Sequence, residues 1–187
     1  IGNSDFYNGA FPSEYSNALS GVFDMQIRNG NNQKYEHTFQ LGILGIDLAS
    51  EGPISRKHGS SYIFNYRFST TSLATGNDMN LKYQDLSFKL NFPTRKAGTF
   101  SIWGIGLIDR YKPEAIDRDE WETQGDRQSG NTAFDKAAGG LTHKYLINAD
   151  TYIRSSLAAT YSKDRTRADQ MTEDDKLVHV GDIRNSK

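Results

Sequence analysis

The chain has 187 residues, with no cysteine and only four prolines. Without thiols it can form neither a disulfide scaffold nor a thiolate zinc site. Hydrophobic residues make up 36%, mean hydropathy is -0.69, and no run approaches the roughly 18 apolar residues that indicate a membrane helix. The net charge of -1 provides no basic surplus, so no nucleic-acid partner is expected.

A secretory signal is also missing from the start of the sequence. Ile1–Asp5 has neither a basic beginning nor an apolar stretch behind it. If the protein is exported, we expect its beginning to be missing from this chain.

Catalytic and metal-binding motifs are scarce. Gly104-Ile105-Gly106 begins like a dinucleotide fingerprint, but Asp109 occupies the place of the third glycine and no helix follows. The four histidines have no metal-ligand spacing. An acidic group invites a calcium or paired-carboxylate interpretation but lacks the Asp-x-Asp-x-Asp-Gly loop and contains Arg118, so a solvated external loop is preferred. This group consists of Glu114, Asp117, Asp119, Glu120 and Glu122. We predict that the chain is not an enzyme and has no cofactor or metal.

Strand patterns are abundant. In Tyr62–Ser69 every second residue is aromatic, and Leu86, Phe88, Leu90 and Phe92 continue the same period of two. Successive side chains of a strand point to opposite faces, so this period predicts strands. Similar patterns occur in Gly21–Ile27, His37–Ile43, Ile46–Glu51, Thr99–Ile108, Ala133–Tyr145 and Tyr152–Ser162. The predicted fold is all-β, an antiparallel up-and-down meander with about seven strands in its main part.

The predicted connections alternate in length after the first tight reversal near Leu44-Gly45. Short connections are Ser55–Gly59, Pro93–Gly98 and Leu146–Thr151; longer ones are Thr71–Lys82, Asp109–Thr132 and the polar segment from Lys163 onward. Outer-membrane barrels have short turns on one rim and long external loops on the other. The pattern therefore favours part of an outer-membrane β-barrel, with the aromatic face toward lipid and the polar face toward the lumen.

The segment Phe11–Met25, FPSEYSNALSGVFDM, resembles the end of the plug domain of TonB-dependent outer-membrane receptors. That family has a Pro-x-Glu-Tyr-Gly-x-Ala-x-Gly-Gly-Val-Ile-like stretch before its first barrel strand. Ser16 and Ser20 stand where the family usually has glycine. The likeness covers roughly Phe11 to Asp109, and the later strands share only the general strand pattern of the family.

The resemblance implies a fragment of a receptor in the cell outer membrane. Residues 1–28 would be the C-terminal part of the plug, 29–34 a linker, and 35–187 the first part of the barrel. The family imports a nutrient such as a siderophore, cobalamin, glycan or peptide, using energy from TonB with ExbB and ExbD. The implied partners are TonB, reached through a plug segment missing here, a small nutrient and outer-membrane lipid.

Two sets of site residues follow as hypotheses. Long external loops are expected to contact the ligand, which selects Leu73–Asn80 and Asp109–Asn131, and within the second loop Tyr111, Arg118, Asp119 and Trp121. Polar residues opposite the aromatics are expected to meet the plug inside the lumen, where opposite charges can pair. These are Asn65, Arg67, Asp85 and Lys89.

The aromatic alternation also fits a soluble protein. A β-sandwich or barrel that binds carbohydrate or lipid would bury the same face against a second sheet. The two interpretations differ in what covers the aromatic face, lipid or protein.

Overall fold

The structure, a computed structural model, describes residues 2, 4–9, 12–15, 20–70, 79–113, 118–123, 127–172 and 176–187. In these ranges the regular structure is ten strands and two single-turn 3-10 helices, Ser13–Tyr15 and Arg118–Glu120. The strands are β1 (Ser4–Tyr7), β2 (Val22–Met25), β3 (Glu36–Gly42), β4 (Gly45–Ser55), β5 (Ser60–Thr70), β6 (Met79–Pro93), β7 (Thr99–Pro113), β8 (Gln128–Leu146), β9 (Tyr152–Met171) and β10 (Leu177–Ser186). None of the helical turns described is long and apolar enough to cross a membrane.

Eight strands, β3 to β10, form one antiparallel sheet in which every strand pairs with its neighbours in the sequence. Strands β1 and β2 form a separate two-stranded sheet. The main sheet is open, because β3 at one end and β10 at the other do not pair with each other or with any further described strand. The prediction of an all-β antiparallel meander is confirmed.

The predicted number of about seven strands is wrong for the end of the chain. The segment from Lys163 was expected to be a loop, but β9 continues to Met171 and β10 follows as an eighth strand. Both faces of β9 are mostly polar after Tyr161, so the alternation of apolar and polar residues that indicates a strand is absent there. In β10 the register shifts between His179 and Gly181, which breaks the alternation of its valines and isoleucine.

The predicted loop boundaries also need correction. Asp109–Pro113 belongs to β7 and Gln128–Thr132 to β8, so both ends of the expected long loop lie within paired strands. The connection after β9 covers only residues 172–176, so the third long loop is wrong as well. Thus one rim has the connections 56–59, 94–98 and 147–151, and the other has 43–44, 71–78, 114–127 and 172–176.

The register places apolar residues on one face across five strands. This apolar band consists of the alternate residues from Tyr62 to Phe68, Leu86 to Phe92, Phe100 to Ile108, Ala137 to Tyr145, and Ile153 to Tyr161. Every residue in it is apolar, aromatic or glycine except His143 and Ser155. We call this face of the sheet the aromatic face and the opposite one the polar face.

The aromatic face has no protein covering among the described residues. None of the large hydrophobic side chains described is buried, and Leu157 in β9 is 75% exposed. Leu41 in β3 is 73% exposed. A sheet of this size normally buries one face against another layer, because apolar burial is the main driving force of folding. Among the described residues, the aromatic face therefore lacks the second layer against which a sheet usually packs.

Candidate functional site

The polar face is concave and borders a cavity of about 880 Å³. Its lining includes one polar-face residue from each of five successive strands: Asn65, Lys89, Trp103, Lys144 and Arg154. Strands β5 and β9 are four spacings apart, roughly 19 Å on a flat sheet. Side chains from both can line one cavity because the sheet curls toward the polar face.

Residues 24–31, the docked segment, lie against this concave face. Asp24, Gln26 and Asn29 form part of the cavity lining. The ammonium of Lys89 donates a hydrogen bond of 2.7 Å to the carbonyl oxygen of Ile27. A half-buried ammonium needs such an acceptor, since burying a charge without a hydrogen bond is costly. This bond therefore joins the docked segment to the middle of the main sheet.

The strongest polar contact of the docked segment is the pair between Arg28 and Glu51 of β4. The guanidinium is bidentate: Nη1 lies 2.7 Å from Oε2, and Nη2 bonds to Oε1. The N–H of Asn31 donates to the same carboxylate at 2.8 Å. The hydrogen bonds with Glu51 raise the pKa of the Arg28 guanidinium above its ordinary value. Two groups of the docked segment are thus held by one carboxylate that is 12% exposed.

Gly30 allows the closest approach between the docked segment and the sheet. A Cβ atom on this residue would lie 1.9 Å from the carbonyl oxygen of Tyr62 in β5. Because the neighbour is backbone, no rotation of a side chain relieves the overlap. Only glycine fits this position without displacing either the docked segment or strand β5.

We expect Arg28→Ala to weaken docking by about 1–3 kcal/mol, because the carboxylate of Glu51 would lose its charged partner and keep only the N–H of Asn31. Hydrogen–deuterium exchange over residues 24–34 measures this. Lys34→Ala is the matched control, since its exposed side chain has no bond in the described structure. Equal exchange in the two variants would contradict the role given to Arg28.

The four residues predicted to face the lumen all lie on the polar face. Arg67 Nε bonds to Asp85 Oδ2 at 2.8 Å, so opposite charges do pair on this face. Asn65 Nδ2 donates to Asp47 Oδ1, also at 2.8 Å. Lys89 is the member that reaches the docked segment. Contact of all four with a plug domain stays a prediction.

The four residues predicted to contact a ligand are divided between a strand and a connection. Tyr111 lies in β7, opposite Leu81 and Thr132, not in a loop. Asp119 is exposed in the second 3-10 helix, whose first residue is Arg118, and Trp121 follows it. The guanidinium carbon of Arg127 lies 5.3 Å from the centre of the Trp121 ring, a cation–π contact.

The other predicted ligand loop falls mostly outside the described residues. Of Leu73–Asn80, only Met79 and Asn80 are described, as the first residues of β6. Glu114 and Asp117 of the acidic group also lie outside the description. Among the residues that are described, no three histidine or acidic side chains are close enough to hold a metal ion.

Sequence reasoning did not identify the residues that dock the segment before β3. Arg28 and Glu51 are 23 positions apart, and neither stands in a recognisable motif. The one available signal is the Asn29-Gly30 dipeptide, which by itself is typical of a tight turn. In the structure Gly30 serves close contact with β5 instead.

The comparisons with known proteins found no matching protein-family model, curated protein or solved structure.

Proposed function

We propose that this chain is part of an outer-membrane β-barrel, a fragment of a TonB-dependent receptor that imports a nutrient. The nutrient would be a siderophore, cobalamin, glycan or peptide, bound at the rim with the long connections. Energy would come from TonB, with ExbB and ExbD, through a plug. The chain would perform no covalent chemistry, and outer-membrane lipid would cover its aromatic face.

The apolar band carries this proposal. On β7, β8 and β9 it extends over about nine residues, which agrees with the roughly 9–11 residues of a tilted transmembrane strand. Phe92, Phe100 and Tyr145 lie at its edge near the short turns, and Tyr161 lies at the other edge. Aromatic residues at both edges are typical of the two interfaces of a membrane barrel.

The stagger of the strands also supports a barrel. One row of the register joins Ser61, Asn91, Ser101, Thr142 and Ser156. In this row, Ser61 is the second residue of β5, whereas Ser156 is the fifth residue of β9. Relative to the starts of the strands, the row therefore shifts by three residues (5 − 2) over four strand spacings. The shift corresponds to a tilt of roughly 30°, slightly below the 35–45° typical of closed barrels.

The docked segment is consistent with a plug that ends inside a barrel. It lies on the concave polar face and contacts Lys89 and Glu51, not the aromatic face. In the proposed receptor, Asn65, Arg67 and Asp85 would meet further plug residues. Residues 1–28 would be the end of the plug and 29–34 the linker to the barrel.

The connection 114–127 is the proposed ligand contact, together with Leu73–Asn80. Replacing residues 114–127 by a short Gly/Ser turn removes Arg118, Asp119 and Trp121 and preserves β7 and β8. Deleting Asp109–Asn131 would instead shorten both strands. We expect the wild-type protein, expressed from its own gene, to require detergent for extraction and to migrate differently before and after heating. The replacement should keep both properties and abolish nutrient uptake.

Uptake is measured by growth of cells lacking the gene on a ferric siderophore, cyanocobalamin, an oligosaccharide or an oligopeptide as the limiting nutrient. The wild-type gene should restore growth on one of them. A control with residues 147–150 of the opposite rim changed to Gly/Ser should behave as wild type. Extraction without detergent would refute the barrel, and full uptake by the replacement would refute the ligand role of the connection.

A further inference from the structure

The aromatic face carries a concentration of positive charge next to the apolar band, on the side of the long connections. These residues, the basic belt, are Lys82, Arg110, Lys112, Lys163 and Arg165. On its own strand, each of them is the first or second residue of the aromatic face that follows the apolar band in the direction of the long connections. Arg110 follows Ile108 by two residues, a distance of about 7 Å along the strand.

Among the residues that the structure describes, only one carboxylate lies within the basic belt. Asp135 of β8 bonds to Arg110 and, at 3.0 Å, to Arg165, so two arginines share it. Lys82, Lys112 and Lys163 have no ion pair within the described parts of the chain. Lys82 stands directly opposite Arg110 in the register, and like charges in such pairs are destabilising. Five cations and one anion leave an excess of four positive charges, although the whole chain has a net charge of -1.

Further from the apolar band the charges of this face are balanced. Arg167 pairs with Asp169 at 3.0 Å. On β10, Arg184 lies at the level of the belt, opposite Arg165, but it pairs with Asp182 at 3.2 Å and so adds no unbalanced charge. His179 also bonds to Asp169. On the described part of this face, the unbalanced charge is therefore confined to the level that immediately follows the apolar band.

We propose that the basic belt binds the phosphate groups of anionic lipid headgroups at the membrane surface on the side of the long connections. This inference rests on the proposed function, because the apolar band must lie in a bilayer. Headgroup phosphates begin where the hydrocarbon ends, which is the level of the belt. Lysine and arginine side chains at this depth extend into the interface while their stems stay in apolar surroundings.

The test compares two triple variants of the full chain, reconstituted in phosphatidylcholine vesicles with a trace of spin-labelled phosphatidylglycerol or spin-labelled phosphatidylcholine. Lys82→Gln/Lys112→Gln/Lys163→Gln removes the three unpaired belt lysines. Lys34→Gln/Lys136→Gln/Lys176→Gln removes the same charge away from the aromatic face. Electron paramagnetic resonance gives the ratio of the two lipid association constants.

We expect the wild-type protein to prefer phosphatidylglycerol, and the belt variant to lose at least about half of that preference. The control variant should keep it, and 1 M NaCl should weaken it by screening. Equal association constants of the two lipids for the wild-type protein would overturn the proposed role of the basic belt. An equal loss of lipid preference in the control variant would do the same. So would competition by 20 mM inorganic phosphate at constant ionic strength, which would indicate a site for free phosphate.

The outcomes also separate this inference from the proposed function. If motionally restricted lipid is detected but phosphatidylglycerol is not preferred over phosphatidylcholine, only the proposal for the basic belt is overturned. No restricted lipid with either label would mean that the aromatic face does not contact a bilayer, and both proposals would fail.

Discussion

Replacing Leu157 with arginine is expected to destabilise the protein in a bilayer by about 2–4 kcal/mol. Leu157 is the central residue of the apolar band on β9 and is 75% exposed. If lipid surrounds it, the arginine must carry its charge into hydrocarbon. If water surrounds it, an exposed substitution of this kind changes the stability by only about 0.5 kcal/mol.

The measurement is urea unfolding of the chain in phosphatidylcholine vesicles. Thr160→Arg is the control, since Thr160 lies three residues away on the polar face, opposite Ala138. We expect this variant to unfold like the wild type. Equal destabilisation by the two substitutions, or none by Leu157→Arg, would mean that the aromatic face does not meet lipid.

The second large effect is expected for Gly30→Ala. Its new methyl group would lie 1.9 Å from the carbonyl oxygen of Tyr62, so the docked segment must leave its place on the sheet. We expect a loss of more than about 2 kcal/mol of docking free energy. The bonds of Arg28 and Asn31 to Glu51 and of Lys89 to Ile27 should break together, because all belong to one segment.

Hydrogen–deuterium exchange over residues 24–34 should rise at least about 30-fold if 2 kcal/mol is lost. Gly42→Ala is the matched control, because no atom lies within 4 Å of the corresponding methyl position in β3. That variant should exchange like the wild type. Protection of the docked segment in Gly30→Ala would contradict the close approach to Tyr62.

The strands that could be predicted from sequence are those with two different faces. β5 and β6 alternate aromatic or aliphatic residues with polar ones, and this contrast predicts both the strand and its orientation. The far part of β9 could not be predicted, because Arg165 and Thr166 are both polar and show no preferred face. In β10 the shift between His179 and Gly181 removed the remaining periodicity.

The candidate site was predictable only where it depends on strand alternation. The positions of Asn65 and Lys89 on one face follow from the period of two. The pairing of Arg28 with Glu51 does not, because it depends on how an irregular segment folds back over the sheet. The basic belt could also not be predicted, since Lys82 and Arg110 become neighbours only through the register of β6 and β7.

The order of the main sheet has a consequence for how the protein assembles. Because every pairing between the described strands of this sheet joins two consecutive strands, each pairing closes only the connection between them, and the entropic cost of closure grows slowly with its length. Hairpins can be added to or removed from either edge without re-pairing the strands between them, so this sheet can grow during folding or in evolution by whole hairpins.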